Sequence, residues 1–235
     1  MTRHWTAAQP DEELGLKAYT NVRLLDPATN LDIICGTAGG LLTDGKQISN
    51  LGPNIFKEGT PKGAEVIDGK GHCLGPGLVD IRVQVREPGY EHKGTIESAG
   101  RAATAGGITT MACLPNTKPI ISDMSQVEFV ARRARKIGLS KIYPYAALTI
   151  DTEGEKLTEI GILSEAGAIA FTDGDRAISN AQVLRRALSY ARTFDLLIVQ
   201  HPEEPSLVPT GGMNAGETAT RLGLPGIPRE AEIIM

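Results

Sequence analysis

Gly75-Pro76-Gly77-Leu78-Val79-Asp80-Ile81-Arg82-Val83-Gln84-Val85-Arg86-Glu87-Pro88-Gly89 is the stretch on which the reading of this chain turns. The apolar run 78–85 reads as a buried strand, bounded by Gly-Pro-Gly before it and Glu-Pro-Gly after it. Side chains alternate along a strand, so Arg82 and Gln84 fall on one face near its C-terminal end. In parallel α/β folds that end borders the ligand site. Two histidines at these positions would grip a metal ion. The chain offers a fixed cation and a neutral amide instead.

Downstream, strand-like runs recur at 78–85, 108–114, 142–148, 168–172 and 196–200, with starts 30, 34, 26 and 28 residues apart. Helical patterns fill the gaps at 97–105, 126–137 and 158–166. Each is followed by a glycine, Gly106, Gly138 or Gly167, as a C-cap would be. Ser179-Asn180-Ala181-Gln182 has capping-box spacing before a helix at 183–192. Strand, helix and glycine at a period near 30 describe βαβ units and a parallel sheet, either a closed barrel or an open doubly wound sheet.

Upstream, residues 16–70 read as short strands broken at Gly36-Thr37-Ala38-Gly39-Gly40 and Asp44-Gly45. The expected organisation is a flexible tail at 1–15, a small β-rich composite domain at 16–74, and a partial (β/α) barrel at 75–235. Residues 78–235 have room for about five βα units, whereas a closed barrel takes eight. A truncated product, a fragment, or a chain completed by a partner is therefore expected, because five units leave an open edge and an uncovered apolar face.

Composition excludes several classes. Net charge is −4, with no clustered basic stripe, which speaks against nucleic acid. The basic run Arg132-Arg133-Ala134-Arg135-Lys136 reads as the solvated end of a helix. No apolar run approaches membrane-spanning length, and residues 1–15 do not form a signal peptide. Cys35, Cys73 and Cys113 are scattered, lack Cys-x-x-Cys spacing and are expected to be buried thiols, which with the rest suggests a cytoplasmic protein.

The strand ends carry the candidate chemistry. They offer Arg82, Gln84 and Arg86, then Pro115-Asn116-Thr117, then Asp173 and Asp175, then His201. An arginine fork with an asparagine suits a carboxylate or an imide. The plainer reading of Arg86 is an ion pair with Glu87 or Glu91. Asp173-Gly174-Asp175 either holds a cation or makes a turn, and turn chemistry is the expectation. His201 alone reads first as a structural histidine. His72 and His92 have no companion at metal spacing. No Walker loop, dinucleotide fingerprint, His-Glu-x-x-His or nucleophile elbow is present.

Taken together, Pro76-Gly77-Leu78-Val79-Asp80, Arg86-Glu87-Pro88-Gly89, Ala105-Gly106-Gly107-Ile108-Thr109-Thr110, Leu114-Pro115-Asn116-Thr117, Ala170-Phe171-Thr172-Asp173, His201, Met213-Asn214 and 220–228 resemble the dihydroorotase branch of the amidohydrolase superfamily. The resemblance implies a (β/α)₈ barrel of amidohydrolase type, truncated after about five units, with a small N-terminal β domain. It implies a zinc-dependent enzyme that opens or closes the dihydroorotate ring in pyrimidine biosynthesis. Arg86 and Asn116 match the residues that bind the substrate carboxylate, and His201 matches a metal ligand.

Elsewhere the pattern departs from the family. The His-x-His of the first strand is Arg82-Val83-Gln84, and the metal-binding aspartate falls at Gly174. The remaining ligand histidine and the catalytic aspartate would lie beyond Met235. Arginine has no lone pair to donate. At ~4 Å and an effective dielectric of ~20, it would repel a unit positive charge by ~4 kcal/mol and a dication by about twice that. The expectation is therefore a metal-deficient pseudoenzyme with an assembly role, no catalytic residues, no zinc, and Arg82 pairing with Asp173 or a bound carboxylate. The implied partner is aspartate transcarbamoylase, within an oligomer. Alternatives are an active cyclic amidohydrolase (dihydroorotase, hydantoinase or allantoinase type) with an unusual metal site, or a module that binds a dihydroorotate-like carboxylate without turnover.

Overall fold

The structure is a computed structural model that describes residues 15–208 and 212–235. All but Gly15 of the expected tail at 1–15 lies outside them. The chain divides into two compact units between Gly77 and Leu78.

The first unit is all β. Strands β1 (Leu16–Thr20), β2 (Arg23–Asp26), β3 (Leu31–Ile34), β4 (Gly40–Asp44), β5 (Gln47–Gly52), β6 (Glu65–Asp68) and β7 (Cys73–Leu74) form two sheets, β5-β4-β1-β6 and β3-β2-β7. Gly45, at φ 56°, makes the tight turn between β4 and β5. Val22, Leu24 and Cys35 form a small core, with Leu31, Ile33, Leu41 and Leu74 packed on it. Arg23 donates to both carboxylate oxygens of Asp32 at 2.8 and 2.7 Å and holds that carboxyl below its usual range.

The second unit alternates strand and helix: β8 (Leu78–Val83), α1 (Ile96–Ala105), β9 (Ile108–Cys113), α2 (Met124–Ile137), β10 (Lys141–Pro144), α3 (Ile160–Ala166), β11 (Ala170–Phe171), α4 (Ala181–Thr193) and β12 (Leu197–Ile198). Then come β13 (Met213–Asn214), α5 (Glu217–Leu222), β14 (Gly226–Ile227) and α6 (Glu230–Ile233), with β13 and β14 paired in parallel. β8 pairs with β9 and β9 with β10, the parallel bridge Ala146–Phe171 continues to β11, and β11 pairs with β12. The five parallel strands thus lie side by side in chain order. A doubly wound sheet reverses its order at a switch point, and this one does not. It is the arc of a singly wound sheet. Among the described residues β8 and β12 do not pair, so the arc is open and no closed barrel forms.

Burial follows the alternation. Met111 and Cys113 on β9 face the helices and join Ile96, Val127, Val130, Ile142, Leu163 and Phe171 in the main core. Ala112 and Leu114 face the other way and cluster with Tyr145 and Ala170 on the inner side of the arc. The Tyr145 hydroxyl crosses the arc to donate to the Ile81 carbonyl at 2.9 Å.

Several expectations need correction. The run 78–85 is buried only toward its end, where Val85 is 1% exposed; Leu78, Val79 and Ile81 are 61, 62 and 68% exposed, because β8 is an edge with a neighbour on one side only. α4 is capped by Asn180, which accepts from the Gln182 and Val183 amides, rather than by Ser179. At the end of α1 the left-handed residue is Gly107 (φ 76°), not Gly106 (φ −89°). Gly138 and Gly167 are left-handed caps as their positions suggested. Cys35 and Cys113 are buried, but Cys73 is exposed on the two-residue β7.

Candidate functional site

The loops leaving the strands β8, β9 and β11 build the mouth of the arc. Val83 and Val85 pack toward the helix-side core, and alternation sends Gln84 between them to the opposite face. The β8–β9 register shifts between Asp80 and Val83, so strict alternation breaks at Arg82, whose amide donates to Asp80 Oδ1 at 3.0 Å. Arg82 is exposed and Gln84 half-buried. Beyond them the chain turns at Arg86, whose φ of 68° is a left-handed conformation rare for a side-chain-bearing residue. Such a conformation persists only where its surroundings impose it. Glu87 supplies part of that frame. Its buried carboxylate accepts from the Ile96 amide at the start of α1 (2.8 Å) and pairs with Arg133 Nε of α2 (3.1 Å). Glu91 accepts from the Gly89 amide, which lowers its pKa. Arg86 therefore pairs with neither Glu87 nor Glu91, and among the described residues its side chain makes no hydrogen bond or ion pair.

The Arg86 loop is tied to the Asn116 loop. Leu114 N donates to Val83 O at 2.8 Å and Lys118 N to Pro88 O at 3.0 Å. Gly89 (φ 93°) fits because a Cβ there would lie 2.0 Å from Lys118 O. The loops that carry Arg86 and Asn116 are thus neighbours at the same end of the arc.

Asn116 then reaches past β10 to the loop after β11. Its Nδ2 donates to Asp175 Oδ1 at 3.0 Å. Its Oδ1 is buried without a partner. It lies against Gly174, where a Cβ would come within 1.8 Å of that oxygen, and Gly174 itself sits at φ 75°. Asp173 is 2% exposed and fully engaged. It accepts from the amides of Leu148 (3.0 Å) and Thr149 (2.8 Å) and from the Thr149 hydroxyl. Burial raises its pKa against those hydrogen bonds. The expected Arg82–Asp173 pair is absent: Asp173 is satisfied from the β10 side, and Arg82 points into the open. Asp173-Gly174-Asp175 is a turn, with Gly174 N donating to Thr172 Oγ1 at 3.0 Å.

His201 follows β12, half-buried, with Glu203 Oε2 4.0 Å from its Nε2. Among the described residues no group of three or more His, Cys, Asp or Glu side chains is placed to hold a metal ion. Zinc asks for three or four N, O or S donors at about 2.0–2.3 Å. Arg82 cannot donate, Gln84 is a weak ligand, Gly174 has no side chain, and Asp173 is spent on Thr149. These residues do not fit a catalytic zinc ion. Burial pushes the Cys113 thiol up to about 12, which keeps it protonated and inert. The tie between Asn116 and Asp175 and the anchoring of Asp173 by Thr149 were not anticipated. Thr149 sits in an irregular segment with no motif to flag it.

No helix among the described residues is long and apolar enough to cross a membrane. The sequence profile of the Dihydro-orotase-like family matches residues 71–234. The chain is 44% identical over 214 residues to a dihydroorotase of Pelobacter propionicus, covering 91% of this chain and 49% of that protein. It is 41% identical over 237 residues to a dihydroorotase of the Wolbachia of Brugia malayi, covering 100% of this chain and 52% of that protein. The chain therefore spans about half the length of these relatives. Among solved structures it resembles the L-hydantoinase (dihydropyrimidinase) of Arthrobacter aurescens, with a TM-score of 0.65 at 18% identity over 81% of this chain and 41% of that one. A D-hydantoinase matches with a TM-score of 0.58 at 22% identity, over 88% and 44% of the two chains. At such identities the likeness is one of fold.

Proposed function

The chain belongs to the Dihydro-orotase-like family, and from that premise we propose that it is a metal-deficient member of pyrimidine biosynthesis. On this reading it lacks turnover, keeps a carboxylate-reading pair in Arg86 and Asn116, and serves in an assembly with aspartate transcarbamoylase. Its five βα units are an arc of the family's (β/α)₈ barrel. Its setting is the cytoplasm.

One observation carries the proposal: the donor set at the strand ends. Arg82 places a permanent cation where a histidine pair would bind zinc, and Gly174 leaves only backbone where a carboxylate would reach it. Asp175 is no substitute, because its carboxylate is turned to Asn116. The unpaired guanidinium of Arg86 and the neighbouring Asn116 loop retain donors suited to a planar carboxylate.

Ring opening of dihydroorotate, assayed with and without added zinc, tests the catalytic half. Zinc-dependent turnover abolished by a chelator supports the active-amidohydrolase alternative and ends the proposal. Co-purification with aspartate transcarbamoylase from native extract tests the assembly half, and a chain that elutes alone beside abundant transcarbamoylase refutes it.

A further inference from the structure

Asn116 Nδ2 carries two N–H donors, and Asp175 occupies one of them. The orientation is not arbitrary: turning Oδ1 toward Asp175 would set two acceptors against each other. Oδ1 meanwhile is buried without a donor. The arrangement depends on Gly174, since any side chain there would collide with Oδ1. Asp175 is exposed and has no cation within ion-pairing distance among the described residues. Its carboxylate is thus placed as a ligand carboxylate would be, on the amide that would read one.

We propose that Asp175 is an internal competitor for the carboxylate of the ligand, holding one N–H of the Asn116 amide and setting a negative charge beside the other, where a bound carboxylate would sit. This rests on the reading of Arg86 and Asn116 as a carboxylate site. The ligand class is a cyclic amide or imide bearing a ring carboxylate. Asp175 lowers the affinity for that class and leaves carboxylate-free rings alone. It is a positioning residue that acts through Asn116.

Isothermal titration of dihydroorotate and of dihydrouracil, its carboxylate-free counterpart, tests the idea on the full chain. Asp175→Ala frees the amide and is expected to bind dihydroorotate about tenfold more tightly, the scale of one charge-assisted hydrogen bond. Dihydrouracil should not change. Asp175→Asn, which still accepts but carries no charge, should fall between wild type and Asp175→Ala, and it covers the case in which the alanine variant does not fold. The gain should vanish in Asn116→Ala/Asp175→Ala. Unchanged or weaker dihydroorotate binding in both Asp175 variants overturns the competitor, as does equal tightening of both rings. Absence of dihydroorotate binding in wild type and every variant defeats the carboxylate-site reading itself, and the competitor with it.

Discussion

Gly174→Ala is the perturbation whose cost can be worked out most closely. Two effects add. The backbone sits at φ 75°, where an alanine costs about 1–2 kcal/mol relative to glycine. The new Cβ would also lie 1.8 Å from Asn116 Oδ1, so Asn116 must swing away and give up its bond to Asp175, worth about 1 kcal/mol. Asn116 is a side chain rather than backbone, so the clash is relieved at that modest cost. The single variant should lose about 2–3 kcal/mol. Asn116→Ala alone should lose about 1 kcal/mol, the same hydrogen bond. In the double variant the clash partner is gone and the bond is counted once. The pair should therefore be less destabilised than the sum of the singles by about 1 kcal/mol. Urea titration followed by far-UV circular dichroism measures this. Hydrogen exchange on peptides from 78–235 assigns the transition, since a chain of two units need not unfold in one step. Strict additivity would refute the claim that Gly174 makes room for Asn116.

Other outcomes follow from the same geometry. Ellman's reagent on the native protein should modify Cys73 rapidly, while Cys35 and Cys113 react only after unfolding; rapid loss of two or three thiols contradicts their burial. Glu87→Ala strands the Ile96 amide and Arg133 and should cost about 2 kcal/mol, with loss of exchange protection at the start of α1. Asp173 has a folded pKa raised above its unfolded value of 3.8, so the folded state binds its proton more tightly. Stability should thus rise, relative to Asp173→Asn, as pH falls from the raised value toward 3.8, and level off below it. Urea midpoints of the two proteins across that range check the sign, and a gap that moves the other way refutes it.

Much of the α/β unit was legible because its helices carry an apolar stripe and glycine stops. α2 and α1 begin within two residues of their sequence-based starts, and Gly138 and Gly167 end their helices as left-handed caps. Strands were legible in place but not in length. The run at 142–148 keeps only Lys141–Pro144 as a strand, and the remainder leaves the ladder to carry the bridge at Ala146 and the Thr149 clamp. Edge exposure of β8 was hidden because an apolar strand reads alike whether one neighbour or two flank it. The site was legible as residue types, not as partners. Arg86-Glu87 are adjacent in sequence, yet a left-handed turn at Arg86 separates them and sends Glu87 to Arg133, 46 positions away. The hydrogen bond from Asn116 to Asp175 spans 59 positions and depends on a glycine that reads from sequence only as a missing ligand.

Zinc titration into metal-stripped native protein, read by calorimetry and by metal content after dialysis, tests the central claim most directly. No stoichiometric uptake is expected, and no change when Arg82 is replaced by Ala. One or two tightly held zinc ions per chain, retained through dialysis and removed only by a chelator, would contradict it.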